Sequence, residues 1–350
     1  MTAEDIDFWT KHCIPTFSLV KSTGSYTDEQ IASHIDFVKN HVIPCVGPRP
    51  KSGADYLLAH TGSIIEISVN FTDSGKPIVR FIFQPHNTGD IPQAIGADMI
   101  WADQLANVFC ATEEEMPILR SKLPPSIGRI PQCLLGFDLH PERRGLKVYY
   151  SPLCKRLITG DQTDNFVFES LKNLKPLGDG LVPALDTLKA FRDSVGEEVG
   201  TIDVIGVDAI NPQDGARIKI YTRMPPGQNS FDKVEHHLTL GGRVNSETVN
   251  KQIELLRGVW HLLLDEQEGF TERLESKPEL GNRDAHSGIM ISWEVQPGKA
   301  EPSPKLYVPL WKFSNNNKAI AENYQKVFEK WSWKSGNEPH WHLSAIEGAL

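Results

Sequence analysis

One tripeptide pattern, written three times at matching places, constrains this chain more than any other feature. Lys147-Val148-Tyr149, Lys219-Ile220-Tyr221 and Lys305-Leu306-Tyr307 stand 72 and 86 residues apart, and each is soon followed by a proline, Pro152, Pro225 and Pro309. Each lies in a short run rich in β-branched and aromatic residues, which reads as a strand. Each run is also the second of a pair. CLLGFDL (133–139) precedes LKVYYSP (146–152), TIDVIGVD (201–208) precedes ARIKIYTR (216–223), and GIMISWEV (288–295) precedes PKLYVPL (304–310). An earlier pair, SIIEISVNF (63–71) and PIVRFIFQP (77–85), is joined by Asp, Ser and Gly in the manner of a hairpin turn and carries Arg80 and Pro85 in the corresponding places.

Helical periodicity fills the intervals. Ile31, Ile35, Val38 and Val42 recur at helical spacing behind Thr27 or Asp28, and further helical blocks are read over 97–111, 165–194, 246–266 and 316–331. The unit is helices followed by a hairpin, repeated four times. The expected fold class is α+β, with ααββ units building an antiparallel sheet that is curved or closed and has its helices on the outer face. The 350 residues contain no linker-like stretch, so a single domain over 1–350 is expected.

Strand geometry turns the repeat into chemistry. Residues i and i+2 point to one face, so each Lys-Xxx-Tyr sets an ammonium beside a phenol, and Arg217 joins Lys219 on that face while Ile218 and Ile220 take the other. On a curved sheet Arg80, Lys147, Arg217, Lys219 and Lys305 are expected to converge on one inner surface. The net charge of −9 argues against a general nucleic-acid or anionic-membrane binder, so these cations serve a local anion. Five like charges in a restricted site favour a multiply charged guest, a phosphate or diphosphate. Tyr149, Tyr221 and Tyr307 can donate hydrogen bonds to it and shield a carbocation left when diphosphate departs. Glu66 stands in mid-strand between isoleucines, where a carboxylate is costly. An ion pair across the hairpin to Arg80 and a bond to an electron-rich N–H such as an indole's are its two readings.

No P-loop, no GxGxxG after a strand, no GxSxG, no HExxH and no DDxxD-type magnesium cluster occurs. Five scattered cysteines without CxxC spacing read as reduced thiols. The acidic, mixed N-terminus and the lack of a long apolar run give a cytoplasmic expectation, without a membrane or nucleic-acid partner.

The motifs IEISVNF, VRFIF, LKVYYSP, ARIKIY, GIMISWEV and KLYVPL resemble, in order and spacing, the dimethylallyltryptophan synthase-type aromatic prenyltransferases of fungi, over most of the chain. That resemblance implies an antiparallel barrel surrounded by helices (the ABBA fold) and transfer of a dimethylallyl group from dimethylallyl diphosphate to an aromatic acceptor, with no obligatory metal or cofactor. It assigns Glu66 to the indole nitrogen, Arg80, Lys147, Arg217, Lys219 and Lys305 to the diphosphate, Tyr149, Tyr221 and Tyr307 to shielding the cation, and Met290 to limiting the prenyl pocket to five carbons.

Two departures stand out. TIDVIGVD lacks the arginine that holds a tryptophan carboxylate in family members, and in CLLGFDL, Leu134 or a neighbour replaces a catalytic lysine. A cyclic dipeptide or alkaloid intermediate is therefore expected in preference to free tryptophan. The sequence also supplies four hairpins where the family has five, with a helix read over 337–350 instead, or at most a single strand at HWHLSAI (340–346). A non-catalytic or partner-dependent binding subunit is the alternative, and exposed sheet edges would favour a homodimer.

Overall fold

The computed structural model describes residues 1–17, 24–49, 58, 64–70, 77–123, 132–282 and 286–332. The turn expected between the first two strands and the helix expected over 337–350 lie outside these residues. Eight strands are described: β1 (Ile65–Asn70), β2 (Ile78–Phe83), β3 (Leu134–Leu139), β4 (Arg144–Tyr150), β5 (Ile202–Asp208), β6 (Ile218–Arg223), β7 (Met290–Val295) and β8 (Ser303–Tyr307). Strand order follows chain order, β1 to β8.

The main helices are α1 (Ala3–Cys13), α2 (Asp28–Phe37), α3 (Ile100–Phe109), α4 (Met116–Lys122), α5 (Leu153–Thr159), α6 (Asn165–Lys172), α7 (Val182–Val195), α8 (Phe231–Leu238), α9 (Glu247–Leu263) and α10 (Asn317–Lys330). Thr27 caps α2 with Gln30 in a capping box, and Thr2 does the same for α1 with Asp5. The helical block over 165–194 consists of two helices, α6 and α7. Gly178 and Gly180 lie in the turn that separates them, and Pro183 sits in the first turn of α7, where its missing N–H costs nothing. Among the described residues no helix is long and apolar enough to cross a membrane, and all five cysteines are free.

The chain divides into two compact units. The first comprises Met1–Thr163 with Ile205–Ala216, and its ladders β1–β2, β2–β3, β3–β4 and β4–β5 are antiparallel. Val79, Phe81, Phe83, Leu135, Phe137, Leu146 and Val148 point to one side and are almost wholly buried. Phe81 stacks on Phe137 at 4.8 Å, while Phe17 and Phe37 meet that pair edge-on at 5.2 and 5.3 Å. Each buried ring contributes about 1.5–3 kcal/mol. Trp101, Ala102, Leu105 and Phe109 form the buried stripe of α3, and the Tyr150 hydroxyl donates to Ala102 O at 2.8 Å.

The second unit comprises Asp164–Val204 with Arg217–Lys334, and its β6–β7 and β7–β8 ladders are antiparallel. Ile218, Ile220, Ile291, Trp293 and Val295 form its buried face. Leu185, Leu188 and Phe191 of α7 are buried in the same unit, as is Trp260 of α9, whose indole N–H donates to Asn229 O at 3.1 Å. The parity of β7 thus sends Trp293 into the core and Met290 to the other side.

Candidate active site

In both units the strand face opposite the apolar core carries the polar residues, because period-2 alternation assigns every second residue to it. In the first unit, register aligns Glu66 with Ile82, Ser68 with Arg80, Arg80 with Asp138, Gly136 with Lys147, and Lys147 with Asp208. Arg80, Lys147 and Tyr149 therefore share one face, as the sequence implied, and Glu66 stands on it with them.

The geometry corrects two expectations. Arg80 pairs with Asp138, Nε to Oδ1 at 2.7 Å, and not with Glu66. Lys147 donates to the other oxygen of the same carboxylate, Asp138 Oδ2. The two cations are therefore bridged by an anion from the neighbouring strand, and the positive surface expected from lysines and arginines alone is substantially neutralised. Lys147 and Asp138 are both buried, where such pairing is what makes the charges tolerable.

Glu66 is reachable by water, yet enough protein surrounds it that desolvation raises its carboxyl above the ordinary glutamate value. The Tyr149 ring lies over Gly136, so closely that a Cβ at 136 would stand 2.9 Å from Tyr149 Cε2. The absent side chain of Gly136 is what gives this ring its place. On the same face of β3 stand Leu134 and Asp138, so the position read as replacing a lysine is occupied by Leu134 and Gly136, neither of them basic.

The second unit repeats the scheme. Register sets Lys219 against Glu294, Tyr221 against Ser292, and Arg223 against Met290; β8 continues these rows with Ser303, Lys305 and Tyr307. Glu294 Oε2 accepts from Arg217 Nη1 at 3.1 Å and stands 4.0 Å from Lys219 Nζ. Here too a carboxylate bridges two of the expected cations. Lys305 Nζ lies 5.5 Å from the centroid of the Tyr307 ring, within cation–π range, and the Tyr307 and Tyr221 rings are 5.8 Å apart. Met290 shares the row of Tyr307. Arg223 pairs with Asp203, Nε to Oδ2 at 2.8 Å.

Asp138, Asp203, Arg223 and Glu294 escaped the sequence reading. For Asp138 and Glu294 the signal was present: each is a lone charged residue at the polar parity of its strand, the criterion that singled out Glu66. Among the described residues no group of three or more His, Cys, Asp or Glu side chains is placed to hold a metal ion. The arrangement offers paired cations with carboxylate partners, phenols beside them, and one carboxyl of raised proton affinity.

The sequence matches the model of the tryptophan dimethylallyltransferase family over residues 5–341. It is 33% identical to the indole prenyltransferase tdiB of Emericella nidulans, across 97% of this chain and 85% of that one. It is 30% identical to the O-glucose prenyltransferase PaPT of Phomopsis amygdali, across 93% and 78%. The fold is that of AnaPT from Neosartorya fischeri (TM-score 0.76, 23% identity, 95% of this chain and 83% of that one). NotF, solved in complex with brevianamide F and DMSPP, superposes equally well (TM-score 0.76, 20% identity, 95% and 83%). The chain belongs to the tryptophan dimethylallyltransferase family and is a prenyl-transferring enzyme by that membership.

Proposed function

We propose that this family member transfers a dimethylallyl group from dimethylallyl diphosphate to an indole-containing acceptor, a cyclic dipeptide or alkaloid intermediate in preference to free tryptophan, in secondary metabolism. The observation that carries the reading is the twofold pattern of bridged cations with adjacent tyrosines on the polar strand faces, in a chain of this family. In the proposed roles Arg80, Lys147, Arg217, Lys219 and Lys305 bind the diphosphate. The bond between its oxygen and C1 of the prenyl chain breaks, and the electron pair leaves with the diphosphate, whose growing charge the cations stabilise. Tyr149, Tyr221 and Tyr307 face the allyl cation with their rings, and Met290 bounds the five-carbon chain.

An indole carbon or nitrogen then forms the new bond, and the ring loses a proton to restore aromaticity. Glu66 accepts a hydrogen bond from the indole N–H, which becomes more acidic as the ring turns cationic. A carboxyl of raised proton affinity suits that task, since its bond to the N–H strengthens as charge develops. None of these roles calls on a resident metal.

Relatives named as an indole prenyltransferase and an indole diterpene prenyltransferase support an indole-containing acceptor, whereas the relative named as an O-glucose prenyltransferase makes a glucoside the appropriate control. Purified protein incubated with dimethylallyl diphosphate and EDTA is offered tryptophan, cyclic tryptophan dipeptides, tricyclic indole alkaloids and an alkyl glucoside. A prenylated indole detected by mass spectrometry, with stoichiometric diphosphate release, is the expected result. Prenylation of the glucoside alone, or no product with any acceptor, overturns the reading.

A further inference from the structure

Arg223 closes the polar face of β6 and has no part in the roles just assigned. It is the fourth member of the alternating series Arg217, Lys219, Tyr221, Arg223. The first two turn to Glu294; Arg223 turns the other way, to Asp203 Oδ2, with Nη1 donating to Ser287 O at 3.3 Å. Asp203 Oδ1 accepts in turn from the Thr201 hydroxyl at 2.7 Å. The two side chains are only 21% and 26% exposed.

The backbone beneath this pair is clamped by two glycines. At Gly200 (φ +68°) a Cβ would fall 1.7 Å from Arg223 O, and at Gly288 (φ +89°) it would fall 2.4 Å from Met224 O and 3.3 Å from Arg223 Cγ. Only glycine permits both the approach and the left-handed backbone. Gly200 O is itself held by Arg192 Nη2 at 2.9 Å. The guanidinium is therefore fixed from its backbone outward, with a carboxylate already on it.

Register says what this pair would meet. Arg223 shares a row with Met290 and Tyr307, four residues along β6 from Lys219, which is roughly 13 Å at strand rise. On the prenyl-transfer reading, a diphosphate held at Lys219 and Lys305 would lay its five-carbon chain along Tyr221 and Tyr307 toward the row of Met290, which would bring substituents of the acceptor to Arg223.

We propose that the Asp203–Arg223 pair is a charge filter for the acceptor, one that admits neutral indole derivatives and rejects those bearing a free carboxylate; this rests on the prenyl-transfer reading above. A lone guanidinium would capture a carboxylate through two parallel hydrogen bonds. With Asp203 in place, an incoming carboxylate meets a like charge at hydrogen-bond range, and the repulsion acts against that class of acceptor alone. An amide, ester or hydroxyl brings no such charge.

The test compares kcat/KM for tryptophan and tryptophan amide, two acceptors that share the indole and differ in the carboxylate. The wild-type protein is expected to favour the amide at least tenfold. Asp203→Asn or Asp203→Ser narrows that ratio at least tenfold by freeing Arg223, chiefly through KM for tryptophan, and adding Arg223→Gln to Asp203→Asn cancels the gain. A purely structural role for Asp203 would lower both acceptors together. Wild-type protein that uses both acceptors within threefold, or a folded Asp203 variant whose ratio is unchanged, overturns the filter. Should neither Asp203 variant fold, the wild-type ratio decides. Wild-type protein that prenylates no indole at all refutes the function itself, and the filter with it.

Discussion

Replacing Asp138 by asparagine tests the bridged-cation arrangement directly. The change keeps the shape of the side chain and removes the one charge shared by Arg80 and Lys147. Deleting one partner of a buried ion pair costs about 3–5 kcal/mol, because the remaining charge is left unpaired in a place where water cannot serve it. Lys147, 7% exposed, is in that position. Arg80 is not: its side chain is 31% exposed and regains water, which lowers the expected loss to about 2–3 kcal/mol.

The same substitution should tighten diphosphate binding. In the wild-type protein an incoming diphosphate competes with Asp138 for both cations; in Asp138→Asn it does not, and a gain of about tenfold corresponds to about 1.4 kcal/mol. Urea unfolding followed by tryptophan fluorescence, with and without inorganic diphosphate at fixed ionic strength, reads both effects, and titration calorimetry reads the affinity alone. The variant should be less stable without diphosphate and should recover more stability than wild type when diphosphate is added. A loss below about 1 kcal/mol together with unchanged or weaker diphosphate affinity would refute the reasoning.

Two further outcomes follow from the same face and from the core behind it. Burial raises the Glu66 carboxyl, so the folded chain retains a proton that the unfolded chain releases, and stability falls as pH rises from the unfolded value through the folded one. Glu66→Gln removes that fall: unfolding curves should show the variant more stable than wild type near pH 8 and equal to it near pH 3, while indole prenylation drops about a hundredfold or more; parallel stability profiles would contradict the assignment. Phe81→Ala empties the centre of the ring cluster with Phe17 and Phe137 and should cost about 3–5 kcal/mol, measured by urea unfolding, with a value under 1 kcal/mol showing that the cluster is not the core of its unit.

The four hairpins were legible because alternation is a local property: a run such as RIKIYTR states its own two faces. That Lys147 and Lys219 lie on the face of their tyrosines, and that Met290 and Trp293 take opposite faces, followed from parity alone; which of Met290 and Trp293 enters the core did not, and the fold settles it for Trp293. Partners were not legible in the same way. Whether Arg80 meets Glu66 or Asp138 depends on register between β2 and its two neighbours, and Arg80 stands opposite Ser68 on one side and Asp138 on the other. A count of cations alone overstates the positive charge of the face, because Asp138 and Glu294 stand among them. Short helices also escaped it. At seven residues each, α4 and α5 show less than two full turns of periodicity, too little to rise above the surrounding loops.

Strand alternation gives this scaffold a division of labour that bears on how it can change. Phe81 and Arg80 are chain neighbours, yet one answers to the packing of the core and the other to whatever lies across the open face. Substitutions at the second set, such as Ser68 or Met290, touch few of the contacts that hold each unit's own core together. Selection, natural or in the laboratory, can therefore walk through new acceptors along every second residue while the intervening ones keep the chain folded.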